Sequence, residues 1–175
     1  MAAVNYHFGD KQQLYEAAVR QAQCARMHEV PMPEWGPDVS AEQRLREFIQ
    51  TLLTRMLGHR DPGWHRELML REIAHPSAAC VEFVEAYIRP MARRLHDVLA
   101  ELLPPGLPEQ QRQLLAFSIV GQCFFHYVNR PIITLLIGEK AAEGLTIERL
   151  AGHITQFSLA AIRGFAAGPP EGGLA

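Results

Sequence analysis

The sequence predicts an all-α protein, and three observations carry that prediction. Apolar residues recur at helical spacing along nearly the whole chain. Runs alternating apolar and polar residues, as a strand would, are almost absent. Clusters of Pro and Gly punctuate the periodic stretches. The pattern resolves into about six helices. A length of 175 residues allows one domain, or one domain and a remnant of another.

The first helix spans about Asp10 to His28. Asp10 is a good N-cap, and Gln13 stands where a capping box needs it. Leu14, Ala17, Ala18, Gln21 and Ala25 mark its expected inner face. A loop from Val30 to Ser40 follows, carrying Pro31, Pro33, Pro37 and Trp35. Ser40 then caps the clearest helix of the chain. Leu45, Phe48, Ile49, Leu52, Leu53, Met56 and Leu57 form one stripe, opposite Glu42, Gln43, Arg46, Glu47, Gln50 and Thr54. Asp61, Pro62 and Gly63 turn the chain into a shorter helix, about Trp64 to Ala74, which His75-Pro76 ends.

A long helix is expected from about Ala78 to Leu103, with a stripe at Val84, Ile88, Met91, Leu95, Val98 and Leu102. Pro90 lies inside it and should kink it, because proline offers no N–H to the Ala86 carbonyl. The run Pro104 to Pro108 breaks the chain again. The helix from about Glu109 to Arg130 is apolar almost all round, from Leu114 and Leu115 to Tyr127 and Val128. Pro131 interrupts, and Ile132 to Ile137 continues as a short helical or irregular piece. The last helix runs from about Thr146 to Phe165. One stripe is Ile147, Leu150, Ile154, Phe157 and Ala161, and a second is Ala151, Ser158, Ile162 and Phe165. The tail from Gly168 reads as disordered.

Two such double-faced helices have too little neighbouring structure in one chain to cover them. A homodimer is the economical answer, since a twofold axis pairs the two helices with their copies as a four-helix bundle. Phe117, Ser118, Gly121, Phe125, Ile154, Phe157 and Ala161 are the candidate interface. Ser118 and Gly121 are small enough to admit a close helix.

Composition excludes several classes. The longest near-apolar runs, Leu114 to Val128 and Ile132 to Ile137, fall short of the ~18–20 residues of a membrane span, so no membrane partner is expected. The N-terminus lacks a secretion-signal pattern, which makes the cytoplasm the expected compartment. Cys24, Cys80 and Cys123 are odd in number and widely spaced, and read as reduced, packed thiols. The net charge of −2 shows none of the basic excess of a stand-alone nucleic-acid binder. No nucleophile elbow, phosphate loop or His-Glu-x-x-His is present. Glu16, Glu47, Glu72 and Glu82 are scattered at exposed-looking positions, so paired-carboxylate chemistry is unsupported and no enzyme is expected. His59, His65 and His75 do not stack on one helical face, and His126 sits alone in an apolar helix as a core or pocket group. Neither a metal site nor a cofactor is expected. In the middle helix, Met69, Leu70 and Ile73 read as core.

The opening segment, Val4-Asn5-Tyr6-His7-Phe8-Gly9-Asp10-Lys11 and on to Leu14-Tyr15, joins an aromatic-His-aromatic run to a Gly turn and a helix that begins with Lys. It resembles the end of the DNA-recognition helix in the TetR family of bacterial repressors. The order of helices, Pro90 within the long helix and the segment Ser118 to Tyr127 are similar to the C-terminal domain of one branch of that family. The resemblance implies phosphate contacts from Tyr6, His7 and Lys11 and a core role for Phe8. A Tyr hydroxyl, an imidazole N–H and a Lys all suit contacts that position a protein without reading bases. It implies that residues 1–10 are a remnant of a helix-turn-helix domain, 11–166 a ligand-binding and dimerisation domain, and 167–175 a disordered tail. Operator DNA would be held through the absent part, and this chain should bind DNA poorly alone. A small, largely apolar effector would enter among the helices, with Leu52, Met69, Ile88, Phe124, His126 and Tyr127 as pocket candidates. The alternative is a dimeric helical interaction module that never touches DNA.

Overall fold

The computed structural model describes residues 11–58 and 64–166, and every regular element among them is helical. In chain order these are α1 (Lys11–Glu29), α2 (Ala41–Leu57), α3 (Trp64–Ala74), α4 (Ala78–Phe83), a π-helical turn (Val84–Ile88), α5 (Arg89–Leu102), α6 (Glu109–Val128), α7 (Arg130–Ile137), α8 (Glu139–Glu143) and α9 (Ile147–Ala166). Tyr6, His7, Phe8, the Asp10 cap, His59, the Asp61-Pro62-Gly63 turn and the tail from Gly168 lie outside the described residues, as does the side chain of His65. The chain divides into two compact units. One takes in residues 1–31 and 60–91, the other residues 32–59 and 92–175.

In the first unit α1 packs on α4 and α3. Val19, Ala22, Gln23, Glu72 and Ala79 are buried. This corrects the inner face expected for α1, because Leu14, Ala18 and Gln21 are exposed. The helix is rich in Ala and Gln, so apolar pattern alone sets its rotation weakly. Side-chain pairs set it instead. Arg20 meets Glu82 of α4 through Nε at 2.8 Å and Nη2 at 3.2 Å, and Tyr15 reaches Glu72 of α3. The core of α3 is corrected likewise: Ile73 is exposed, Met69 and Leu70 are half-buried, and the carboxylate of Glu72 lies inside.

The stretch from Ala78 to Leu102 departs from the single α-helix expected. The π turn precedes Pro90, and the Arg89 N–H donates to the Val84 carbonyl, five residues back. A wider turn here suits a proline that would otherwise clash with the carbonyl four residues earlier. The extra residue also rotates the downstream face by about a quarter turn. Downstream, Met91, Leu95 and Val98 are buried as the stripe predicts, Leu99 and Leu103 join them while Leu102 is half-buried, and upstream Val84 is exposed.

In the second unit α2 packs against both α9 and α6, which also touch one another. Ser40 caps α2 as expected, its Oγ accepting the Gln43 N–H at 3.2 Å. Leu45, Phe48, Ile49, Leu52 and Leu53 are buried. They are joined by Leu115, Ala116, Ile119, Cys123 and Tyr127 of α6 and by Leu150, Ala151, Ile154 and Ile162 of α9. The loop before α2 is fastened by Trp35, whose Nε1 donates to Glu47 at 2.8 Å and whose ring lies under the Arg94 guanidinium. Arg94 also donates to the Pro33 carbonyl at 3.2 Å, and Arg44 pairs with Glu101. The segment after Pro131 is a full helix, α7, with that proline in its first turn, where the missing N–H costs nothing. Gly138 ends it at φ 81°, ψ 156°, a conformation essentially restricted to glycine.

Candidate functional site

Three features of the described residues carry chemistry beyond ordinary packing. The first is an uncovered apolar face on α6 and α9. Leu114, Phe117, Phe125 and Phe157 are 52%, 62%, 54% and 58% exposed. Contiguous exposed apolar surface of this kind is where proteins commonly meet other proteins or membranes. Ser118 and Gly121 lie on it, and a Cβ built at Gly121 would meet nothing within 4 Å. Close approach within the chain therefore does not account for that glycine. Between the two helices runs a groove of about 210 Å³, lined by Leu114, Ser118, Gln122, Phe157, Ala161 and Phe165 among others. Of the candidate interface residues, Ile154 departs: it is 1% exposed and packs inside its own unit. The alternating spacing of α9 could not separate it from Phe157, three residues on.

The second feature is a cavity of about 310 Å³ at one end of the second unit. Leu57 of α2, His126 of α6, Ile133 and Thr134 of α7, Ala142 of α8, and Ile147 and Leu150 of α9 line it. Arg130, Glu139 and Glu143 bring charge to its wall. Burial, and then the charge of His153, hold the His126 imidazole below its usual value, so it is neutral at pH 7. The lining mixes apolar side chains with polar and charged ones, as a site for a small amphipathic molecule would.

Of the six pocket candidates, His126 alone lines this cavity. Leu52 and Tyr127 are core side chains, and Phe124 is half-buried with its ring 6.0 Å from that of Tyr127. Met69 and Ile88, both half-buried, belong to the other unit. Sequence reasoning missed Arg130, Thr134, Glu139 and Glu143. The signal was slight, because a short helix bounded by Pro131 and Gly138 reads as a connector.

The third feature is a buried carboxylate. Glu72, 1% exposed, accepts from the Tyr15 hydroxyl at 2.5 Å, the Ser77 hydroxyl at 2.7 Å and the Ser77 N–H at 3.2 Å. Glu72 was expected at an exposed position, and its burial is a correction. Burial alone would push its carboxyl up. The donors from Tyr15 and Ser77, with the Arg71 charge, outweigh burial and hold it below the ordinary range. Burial, then the bond to Glu72, pushes Tyr15 up to about 12, and the Arg71 guanidinium sits 4.9 Å from its ring centre. Lys11 opens α1 with an exposed side chain. Among the described residues no group of three metal-ligating side chains comes together, and no helix is long and apolar enough to cross a membrane.

The described elements are all helical, and the second unit carries both the exposed apolar face and the cavity. The family model described as the C-terminal domain of the HTH-type transcriptional dual regulator CecR matches residues 41–162, and the chain belongs to that family, a group of TetR-family regulator domains. The chain is thus a TetR-like transcriptional regulator. No curated protein matches it.

Proposed function

We propose that the chain is the sensing and dimerising part of a transcriptional repressor. α6 and α9 pair with their copies in a twofold four-helix bundle, and a small effector with an apolar body and a polar end shifts the dimer between two arrangements. The observation that carries this reading is the open face of Leu114, Phe117, Phe125 and Phe157, set on two helices inside the region of the family match. A ligand acts on such a dimer only through different affinities for its two states, with a coupling of typically ~1–3 kcal/mol. In a protein that carries a complete helix-turn-helix ahead of Tyr6, operator contact runs through that domain. Tyr6, His7 and Lys11 then touch phosphates, and α1 links the sensor to the reader. The sensor by itself, with a net charge of −2, holds DNA weakly.

Light scattering tests the core of the proposal. The purified chain should run as a dimer at micromolar concentration, and Phe117→Glu with Phe157→Glu should render it monomeric with its helicity intact. A wild-type monomer would refute the bundle. In the longer protein, Lys11→Ala should weaken binding to all DNA sequences about equally and lower the salt dependence. A loss confined to one operator would contradict the phosphate role.

A further inference from the structure

The helix α7 is apolar on a side that none of the described residues of its own chain covers. Ile132, Leu135 and Leu136 are 61%, 82% and 81% exposed, and they follow one another at the three- and four-residue intervals of a single helical stripe. The opposite side is spoken for, because Arg130, Ile133 and Thr134 wall the cavity. Asn129 joins α6 to α7 as a turn at φ −94°, ψ 9°, outside the helical region. Asn129 donates its N–H to the Phe125 carbonyl at 2.9 Å, and its own carbonyl accepts from the Ile133 N–H at 2.8 Å. The exposed apolar residues of α6, Leu114, Phe117 and Phe125, are thus followed one turn residue beyond the end of that helix by those of α7, Ile132, Leu135 and Leu136.

From this geometry we infer that α7 is a docking arm for a second copy of the chain, extending the face of α6 and α9 beyond the bundle. The inference rests on the dimer proposed above and deepens it. Area argues for the second copy as the occupant. Large apolar side chains carry on the order of 150–250 Å² each, so Leu114, Phe117, Phe125 and Phe157 at their observed exposure offer on the order of 500 Å². A standard interface takes about 800 Å² from each partner. Ile132, Leu135, Leu136 and the half-exposed Ile137 add roughly as much as the first four, which brings the face to the size of a stable dimer contact. One consequence concerns regulation. The partner would press on one side of α7 while a ligand in the cavity presses on the other, so both would bias the position of the same short helix.

Sedimentation analysis of the full chain, as wild type, Leu135→Glu/Leu136→Glu and Leu135→Ala/Leu136→Ala, tests the inference. Both positions are exposed, and alanine is the stronger helix former, so neither variant threatens the fold. The glutamate pair should raise the dimer Kd at least about a hundredfold and the alanine pair at least about tenfold. Val81→Glu, at an exposed apolar position in the other unit, should leave Kd within about threefold of wild type. Wild-type Kd in both α7 variants, with Phe157→Glu still dissociating the dimer, would overturn the arm and leave the bundle standing. A monomeric wild type would overturn both. Unchanged dimers, with wild-type but not glutamate-variant protein sedimenting with phosphatidylglycerol vesicles, would assign the face to lipid and overturn the inference as well.

Discussion

Replacing Tyr15 by Phe removes one hydroxyl and nothing else from the cluster around Glu72. The ring stays, and with it the Arg71 guanidinium stacked 4.9 Å from its centre. What is lost is the donor 2.5 Å from Glu72 Oε1, while both Ser77 donors address Oε2. The carboxylate is 1% exposed, so water does not readily replace the missing bond. A hydrogen bond to a charged group contributes about 1.5–3 kcal/mol, and leaving a buried charge short of a donor sits at the upper end of that range. At roughly 2–4 °C per kcal/mol for a chain of this size, the melting temperature should fall by about 4–12 °C. Thermal and urea denaturation at neutral pH, with helicity checked by circular dichroism, measure this directly.

The pH dependence gives the prediction a second, independent handle. The Glu72 carboxyl is held below its ordinary value, so its contribution is present above that ordinary value and is lost as pH falls through the folded one. Tyr15 is raised to about 12, so its contribution is complete below its ordinary value near 10 and is lost as pH rises through about 12. The gap between wild type and Tyr15→Phe should therefore be widest near neutrality, narrow as pH falls below the ordinary carboxylate range and the Glu72 carboxyl protonates, and narrow again as pH rises toward about 12. A gap under about 0.5 kcal/mol at neutral pH, or one that does not narrow anywhere as the carboxylates are titrated with acid, would refute the claim that the hydroxyl holds a buried charge.

Two further outcomes follow from the second unit. Phe48, 1% exposed in the middle of α2, should cost about 3–5 kcal/mol on change to Ala, read as a loss of denaturation midpoint. Cys123 is fully buried, and that burial pushes its thiol up to about 12, so neither access nor thiolate is available in the native protein. Intact mass after native iodoacetamide treatment should show adducts at Cys24 and Cys80 at most, with Cys123 labelled only after denaturation; a native third adduct would contradict its placement.

The unit around α2 was legible almost residue by residue. Ser40 is the cap it looks like, and the stripe from Leu45 to Leu53 is the core it looks like, because five large apolar side chains at one helical phase leave a single way to turn the helix. The family likeness was legible too, in Pro90 and in the run from Ser118 to Tyr127, and it is upheld by the match over residues 41–162. The open face of α6 and α9 could be anticipated from excess apolar surface, since that is a matter of count and spacing. Ile154 and Phe157 could not be told apart, since a helix with two apolar stripes fits its neighbours in more than one rotation.

Where apolar pattern was weak, tertiary structure decided. The rotations of α1 and α3 follow Tyr15, Arg20 and Glu82, and they put a carboxylate inside at position 72 and an isoleucine outside at 73. The cavity belongs to the same category. Arg130, Thr134, Glu139 and Glu143 meet there because the turns at Asn129 and Gly138 set α7 and α8 beside His126 of α6 and Ile147 and Leu150 of α9. Spacing along a sequence records which side of one helix is apolar. It holds no record of which polar side chains from different helices converge, because that depends on directions fixed only when the helices pack.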